Sequence, residues 1–247
     1  MKGKQERLQK IIAQSGYTSR RKAERLIIEG KVKVNGKVVT KLGTKASPTD
    51  EITVNGIPIE REPKVCYLLY KPRQYITAVS DDRGRKTVID LMPEVEERIY
   101  PIGRLDYHSS GILLLTNDGD FAHQLMHPRY EVPKTYIVKV NGIMSHDTQN
   151  KLLEGVQDEG ELLKVSRYKV KEVDRKKRTM ILEVVLHEGR NRHLRRLFAA
   201  LGHPVDKLKR EKFAFLTLNR LQPGEYRPLT RKEVHDLRQL VSRKRRK

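Results

Sequence analysis

The sequence predicts an α+β protein with a largely antiparallel sheet, arranged as a small first domain and a larger second one. Strand-like segments outnumber helical ones, and hairpin turns join them, which disfavours a doubly wound parallel sheet. The charge pattern also changes twice along the chain. Residues 1–63 carry 14 Lys/Arg against 7 Asp/Glu, residues 64–188 carry 20 against 19, and residues 189–247 carry 18 against 5. A chain of 247 residues can bury a core in each of two domains.

The first domain opens with Leu8, Ile11 and Ile12 at helical spacing, and Gly16 breaks that helix. A second helix is predicted from Arg20 to Glu29, after Ser19. Ala23, Leu26 and Ile27 share one of its faces, while Arg20, Arg21, Lys22 and Arg25 surround the others and Gly30 caps its end. A hairpin follows, with Val32/Val34 and Val38/Val39 flanking Asn35-Gly36, the favoured two-residue turn. A further strand is expected at Ile52–Val54. The charged stretch around Pro63 reads as a linker. The first domain is therefore assigned residues 1–61, the linker 62–65, the second domain 66–241 and a basic tail 242–247.

In the second domain, strands are predicted at Val65–Tyr70, Ile76–Val79 and Tyr100–Ile102. The apolar run Ile112–Thr116 ends at the turn signal Asn117-Asp118-Gly119. A helix over Phe121–Met126 is stopped by Pro128. Thr135–Val140 alternates as a strand, Asp147–Gly155 reads as a short helix, and Leu163–Val173 and Thr179–Leu186 read as two longer strands around a charged turn. Thr230 and Glu233 form a capping box that opens a last helix through Leu240. The run Arg243–Lys247 is expected to be an unstructured, RNA-seeking tail.

Composition narrows the function. No apolar run approaches the ~20 residues needed to span a membrane, and the basic start lacks an apolar signal core. The single cysteine, Cys66, cannot form an internal disulfide, so a cytoplasmic setting is expected. A net charge of +21 with no strongly amphipathic helix or lipid signal favours nucleic acid over a membrane as the polyanionic partner. No metal site is expected. His123 and His127 are spaced i, i+4 but lack a third ligand and the HExxH glutamate, and Asp118-Gly119-Asp120 lacks the remaining calcium ligands. No P-loop or dinucleotide fingerprint occurs.

Three segments could carry chemistry. In Gly103-Arg104-Leu105-Asp106, one carboxylate stands in a glycine-bounded loop braced by the following strand, the usual mounting of an active-site acid. A lone Asp in this position is, however, more often a turn residue. Between Glu188 and Leu201, Leu194, Leu197, Phe198 and Leu201 form one apolar stripe and Arg192, Arg195 and Arg196 lie off it. At about 100° per residue Arg195 lies nearest the stripe and can reach back into the domain, while Arg192 and Arg196 can face a phosphate backbone. A solvated basic helix would explain the same charges. Tyr136 shares a strand face with Val138 and Val140, which also fits a plain core tyrosine.

The run from Arg7 through Ser19-Arg20-Arg21-Lys22 to Lys31-Val32-Lys33-Val34-Asn35-Gly36 resembles the S-four RNA-binding domain. That resemblance implies phosphate contacts from Arg20, Arg21, Lys22 and Arg25. Gly103-Arg104-Leu105-Asp106, Lys134-Thr135-Tyr136, Gly189-Arg190-Asn191-Arg192 with Arg195 and Arg196, Gly202-His203-Pro204-Val205 and Pro223–Thr230 together resemble ribosomal RNA pseudouridine synthases of the RsuA/RluB branch, over nearly the whole chain. Leu125–Pro128 followed by Glu131–Tyr136 is most similar to the large-subunit synthases of that branch. His193 stands where the family usually has glutamine.

The resemblance implies an S-four-type domain followed by a pseudouridine synthase domain with a mainly antiparallel mixed sheet and flanking helices. It implies cofactor-free isomerisation of uridine in large-subunit ribosomal RNA. Asp106 would be the essential carboxylate, acting on the ribose as nucleophile or base. Arg195 would pair with it. Tyr136 would stack on the flipped uracil and assist proton transfer from C5. Arg104 would fill the gap left by the base or hold its phosphate, with Arg190, Arg192 and Arg196 as further RNA contacts. The implied enzyme is monomeric, with pre-ribosomal particles among its partners. The alternatives are the same reaction on small-subunit RNA and a non-catalytic RNA-binding assembly factor.

Overall fold

Why each segment adopts its structure can be followed in the computed structural model, which describes residues 5–244, the last two by backbone alone. The chain divides into two compact units: residues 1–65 with Val95–Ile99, and Cys66–Glu94 with Tyr100–Lys247. Val95–Ile99, assigned from sequence to the second domain, groups instead with the first unit. No helix among the described residues is long and apolar enough to cross a membrane.

In the first unit, helices Leu8–Gln14 and Arg20–Ile28 share a core with a four-stranded antiparallel sheet. Ser19 Oγ accepts from the backbone N–H of Lys22, which satisfies one orphan donor at the helix start. Leu8, Ile12, Ala23, Ile27, Val32 and Val54 are fully buried there. Asn35 and Gly36 both have positive φ, as the hairpin turn between Val32–Val34 and Lys37–Val38 requires.

The second unit is built on a nine-stranded mixed sheet. Seven strands lie side by side in the order Arg167–Asp174, Thr179–Leu186, Lys134–Asn141, Val205–Phe213, Ser109–Thr116, Cys66–Lys71 and Tyr226–Pro228. Tyr100–Ile102 pairs with Ser109–Thr116, and Leu216–Thr217 with Val205–Phe213. Every pairing in this sheet is antiparallel except one: Ser109–Gly111 runs parallel to Leu208–Arg210. Strand Ser109–Thr116 carries Ile112 to Leu115 fully buried, since both its faces are covered, and this accounts for its unbroken apolar run. Helices Gly119–Met126 and Arg231–Lys244 bury Phe121, Leu125, Leu237 and Val241 with it. Each such side chain contributes about 1.5–3 kcal/mol by leaving water.

Several expectations need correction. Ile76–Val79 is no strand: a single bridge joins Ile76 to Thr87, and the chain then turns, with the Ala78 N–H donating back to the Ile76 carbonyl. Leu163–Val173 is two strands, Glu161–Leu163 and Arg167–Asp174. The break comes where the chain changes partners, with Val165 N–H donating to Leu152 and Ser166 N–H to Val185. The helix after Asp118 starts at Gly119, capped by Asp118 Oδ1 on the N–H of Phe121. The last helix continues to Lys244, so Arg243 and Lys244 are helical and not part of a tail; Arg245, Arg246 and Lys247 lie outside the described residues.

One row of residues crosses the sheet in register. Val184 faces Tyr136, Tyr136 faces Arg210, Arg210 faces Gly111, and Gly111 faces Lys71. Residues opposed in this way project to the same face. Gly111 has a φ of +117°, and a Cβ there would collide with the backbone of Arg210. Glycine thus permits the close parallel approach.

Candidate active site

Asp106 is held by its backbone, which leaves its carboxylate free to act. The neighbouring Leu105 is buried, and its peptide groups are clamped by Thr77. Thr77 Oγ1 donates to the Leu105 carbonyl at 2.6 Å and accepts from the Leu105 N–H at 3.2 Å. From the other side, the fully buried Lys71 ammonium donates to the carbonyls of Asp106 (3.2 Å), Ser109 (2.9 Å) and Pro72 (3.0 Å). Burial pushes the Lys71 ammonium down to about 8; Asp106 opposes that shift and Arg210 adds to it. The Asp106 side chain itself is 30% exposed.

Arg195 is the nearest cation to that carboxylate, with Nε 3.8 Å from Asp106 Oδ2. This separation makes an ion pair but is too long for a hydrogen bond. Arg195 Nε is buried with no hydrogen-bond partner, while the other two nitrogens donate to the carbonyls of Val205 (3.3 Å) and His108 (3.5 Å). Burial disfavours the Arg195 charge and Asp106 offsets part of that cost.

A cavity of about 650 Å³ opens beside these groups. Asp106, Tyr136, Arg104, Arg190, Arg192, Lys134 and Arg210 line it, together with apolar Ile102, Leu186 and Phe213. Tyr136 is 8% exposed, so it packs as a core residue and still presents an edge to the cavity. The volume falls within the roughly 300–1,000 Å³ typical of small-molecule sites. Buried polar atoms with no partner also gather here: Ser109 Oγ, His193 Nδ1 and Arg210 Nη2 belong to lining residues. Orphaned groups are rare in cores, which makes this wall a candidate for polar contacts to a ligand.

The structure brings Asp106, Tyr136, Arg195, Arg104, Arg190 and Arg192 together. Arg196 departs from expectation. It is not available to a phosphate backbone, because its guanidinium is bound by Asp158, Glu159 and Glu161 of the hairpin Val156–Asp158/Glu161–Leu163. Arg190 is partly engaged as well, with Glu188 at 3.1 Å and the Leu162 carbonyl at 3.2 Å. Arg192 precedes helix His193–Ala200 in the left-handed conformation, φ +48°, so the helical-wheel position expected for it does not apply. It is exposed at the cavity rim. His193 is buried, which pushes its imidazolium below the usual range, and its Nε2 bonds to the Lys164 carbonyl and not to Arg195. Arg20, Arg21, Lys22 and Arg25 are exposed on the second helix of the first unit.

Sequence reading missed Lys71, Thr77, Lys134 and Arg210. Lys71 had one detectable signal: it closes the uncharged run Cys66–Tyr70 of a buried strand, where a charge is out of place. No group of three or more His, Cys, Asp or Glu among the described residues could hold a metal ion.

Both units match known families. Residues 65–200 match the family described as RNA pseudouridylate synthase, and residues 6–52 match the S4 domain. The chain is 56% identical over 236 residues to the ribosomal large subunit pseudouridine synthase B of Bacillus subtilis (strain 168), covering 96% of this chain and 97% of that one. It is 39% identical to an uncharacterized RNA pseudouridine synthase of Aquifex aeolicus, covering 96% of each. A crystal structure of a pseudouridylate synthase, 30% identical, superposes with a TM-score of 0.65 over 94% of this chain and 99% of that one.

Proposed function

The chain belongs to the RNA pseudouridylate synthase family, and from that premise we propose that it isomerises a uridine of large-subunit ribosomal RNA, with Asp106 as the essential carboxylate. As a member it is an RNA-modifying isomerase with an S4 domain. The observation that carries the site assignment is the joint placement of Asp106 and Tyr136 on one cavity, with Arg195 Nε 3.8 Å from the carboxylate. The large-subunit target rests on the named activity of the Bacillus subtilis relative.

The target uridine leaves its stack and enters the cavity, where water is displaced. Arg104 and Arg192, exposed at the rim, meet the phosphates on either side or fill the space the base vacates. Asp106 acts on the ribose as nucleophile or base, with the Arg195 guanidinium beside it. The bond from N1 to C1′ breaks, the uracil turns, and C5 bonds to C1′. Tyr136 stacks on the ring and assists removal of the C5 proton. The reaction draws on no cofactor. The exposed cations Arg20, Arg21, Lys22 and Arg25 hold flanking RNA through phosphate contacts. The enzyme works as a cytoplasmic monomer on ribosomal RNA or its assembling particle.

The test is a pseudouridine map of ribosomal RNA from a deletion strain complemented with wild-type protein or with Asp106→Asn. The expected result is one large-subunit mark restored by wild type and not by the variant. Restoration by Asp106→Asn would overturn the catalytic assignment, and a mark confined to small-subunit RNA would overturn the target.

A further inference from the structure

The cavity floor carries positive charge that no carboxylate of the protein neutralises. Arg210 is 2% exposed, its Nε donates to the Ile112 carbonyl at 2.6 Å, and its Nη2 has no partner. Lys134 lines the same cavity, 8% exposed, with its ammonium on the Val132 carbonyl at 3.0 Å. Neither forms an ion pair with a carboxylate among the described residues. A buried, unpaired guanidinium is expensive to maintain, so its retention points to an acceptor that arrives with the substrate. We propose that Arg210 contacts the substrate, its guanidinium donating to a carbonyl oxygen of the uracil in the cavity. The inference rests on the isomerisation proposed above.

The surroundings suit a planar base better than a phosphate. The guanidinium lies 5.5 Å from the Phe213 ring centroid, Tyr136 stands directly across the strand pair, and Ile102 and Leu186 complete an apolar wall. The rim, by contrast, holds the exposed Arg104 and Arg192, which suit phosphates. Arg210 is also rigidly seated, because Gly111 lets the neighbouring strand close against its backbone. When the N1–C1′ bond breaks, its electron pair passes to the uracil and spreads over O2 and O4. A fixed cation at one of these oxygens binds the departing base more strongly than the intact nucleoside, and so raises kcat. If the oxygen is O4, the same donor repels the amino group of cytosine.

The experiment uses large-subunit ribosomal RNA transcripts made with uridine, 2-thiouridine or 4-thiouridine. Wild type, Arg210→Met and Arg210→Lys are compared by chromatography of the digested nucleosides, after their melting temperatures are measured. On uridine transcripts Arg210→Met should lose about 100-fold in kcat, with KM changed less than about threefold. Sulfur accepts hydrogen bonds poorly, so one thio substitution should slow wild type about tenfold and slow Arg210→Met no further. If Arg210→Met fails to fold, Arg210→Lys, whose shorter side chain and single ammonium cannot hold the Ile112 carbonyl and reach the base together, completes the same cycle. A wild type indifferent to both thio substitutions, or an Arg210 variant slowed by the same factor as wild type, overturns the proposal. A wild type that binds uridine transcripts without isomerising them instead defeats the reaction itself.

Discussion

Thr77→Val isolates the clamp on the catalytic loop, because valine keeps the shape of threonine and removes only the hydroxyl. That hydroxyl serves both peptide groups of the buried Leu105, donating at 2.6 Å and accepting at 3.2 Å. Without it a buried carbonyl and a buried N–H lose their partner at once. Each costs about 1–3 kcal/mol, so the variant should lose roughly 2–4 kcal/mol once partial relaxation is allowed. In a chain of this size that corresponds to a fall of about 5–15 °C in Tm. Asp106 is the next residue, and a displacement of ~1 Å at the carboxylate would cost about 100-fold in kcat. Urea unfolding followed at two wavelengths gives the first quantity, and single-turnover isomerisation of large-subunit RNA gives the second. Thr77→Ser, which retains the hydroxyl, should stay within about 1 kcal/mol of wild type. If Thr77→Val melts with wild type and turns over at the wild-type rate, the loop is not held in the way described.

Four further outcomes are expected. Lys71, pushed down to about 8 from 10.5, binds fewer protons folded than unfolded between those values, so it makes stability rise with pH across that window; urea titrations at pH about 7.5 and 9.5 should show a shallower rise in Lys71→Met. Glu233, held down to about 2 first by Arg227, contributes stability above about pH 4.5 that is lost as pH falls toward 2; Glu233→Gln should cost about 1–2 kcal/mol at neutral pH and nothing near pH 2 in acid unfolding. Gly111→Ala should cost about 3–5 kcal/mol in thermal melts, from its positive φ and the clash with Arg210, against about 1 kcal/mol for Gly84→Ala, which has open space around it. Replacing Arg20, Arg21, Lys22 and Arg25 together with Gln should weaken RNA binding and reduce the slope of log affinity against log salt by up to about 3 in filter-binding titrations.

What could be read from sequence was local. Ser19, the Asn35-Gly36 turn and the Thr230–Glu233 box act within a few residues, and each forms the bond its position implies. Asp106 and Tyr136 could be nominated because their motifs are contiguous, although only the fold places them on one cavity. The strand Val205–Phe213 went unread because six of its nine residues are charged, so its inward positions Leu208, Arg210 and Phe213 are hidden in a solvent-like composition. The role of Arg196 could not be read either. Its acid partners lie 35 to 38 residues away on a hairpin that a helical wheel does not know about. Thr77 and Lys71 escaped for the same reason, since their partners lie 28 and 35–38 residues along the chain.

The parallel pairing explains why the candidate site lies where it does. Two strands that run parallel begin at the same end of the sheet, so the segments leading into them must be neighbours. Here those segments are Asp106–His108, ahead of Ser109–Thr116, and the helix His193–Ala200 with its turn, ahead of Val205–Phe213. A parallel pair cannot be closed by a tight hairpin, so the two approaches come from distant parts of the chain and need a separate tie. Arg195 supplies it, donating to Val205 at the start of one strand and to His108 beside the start of the other. The same guanidinium is left with Nε unpaired and 3.8 Å from Asp106. A residue needed to stitch the seam is therefore also the one that brings a cation to the carboxylate. Arg195→Lys, which cannot span both carbonyls and the carboxylate from one point charge, should lose stability and activity together. Loss of activity at unchanged stability would show that the stitch and the ion pair are separable.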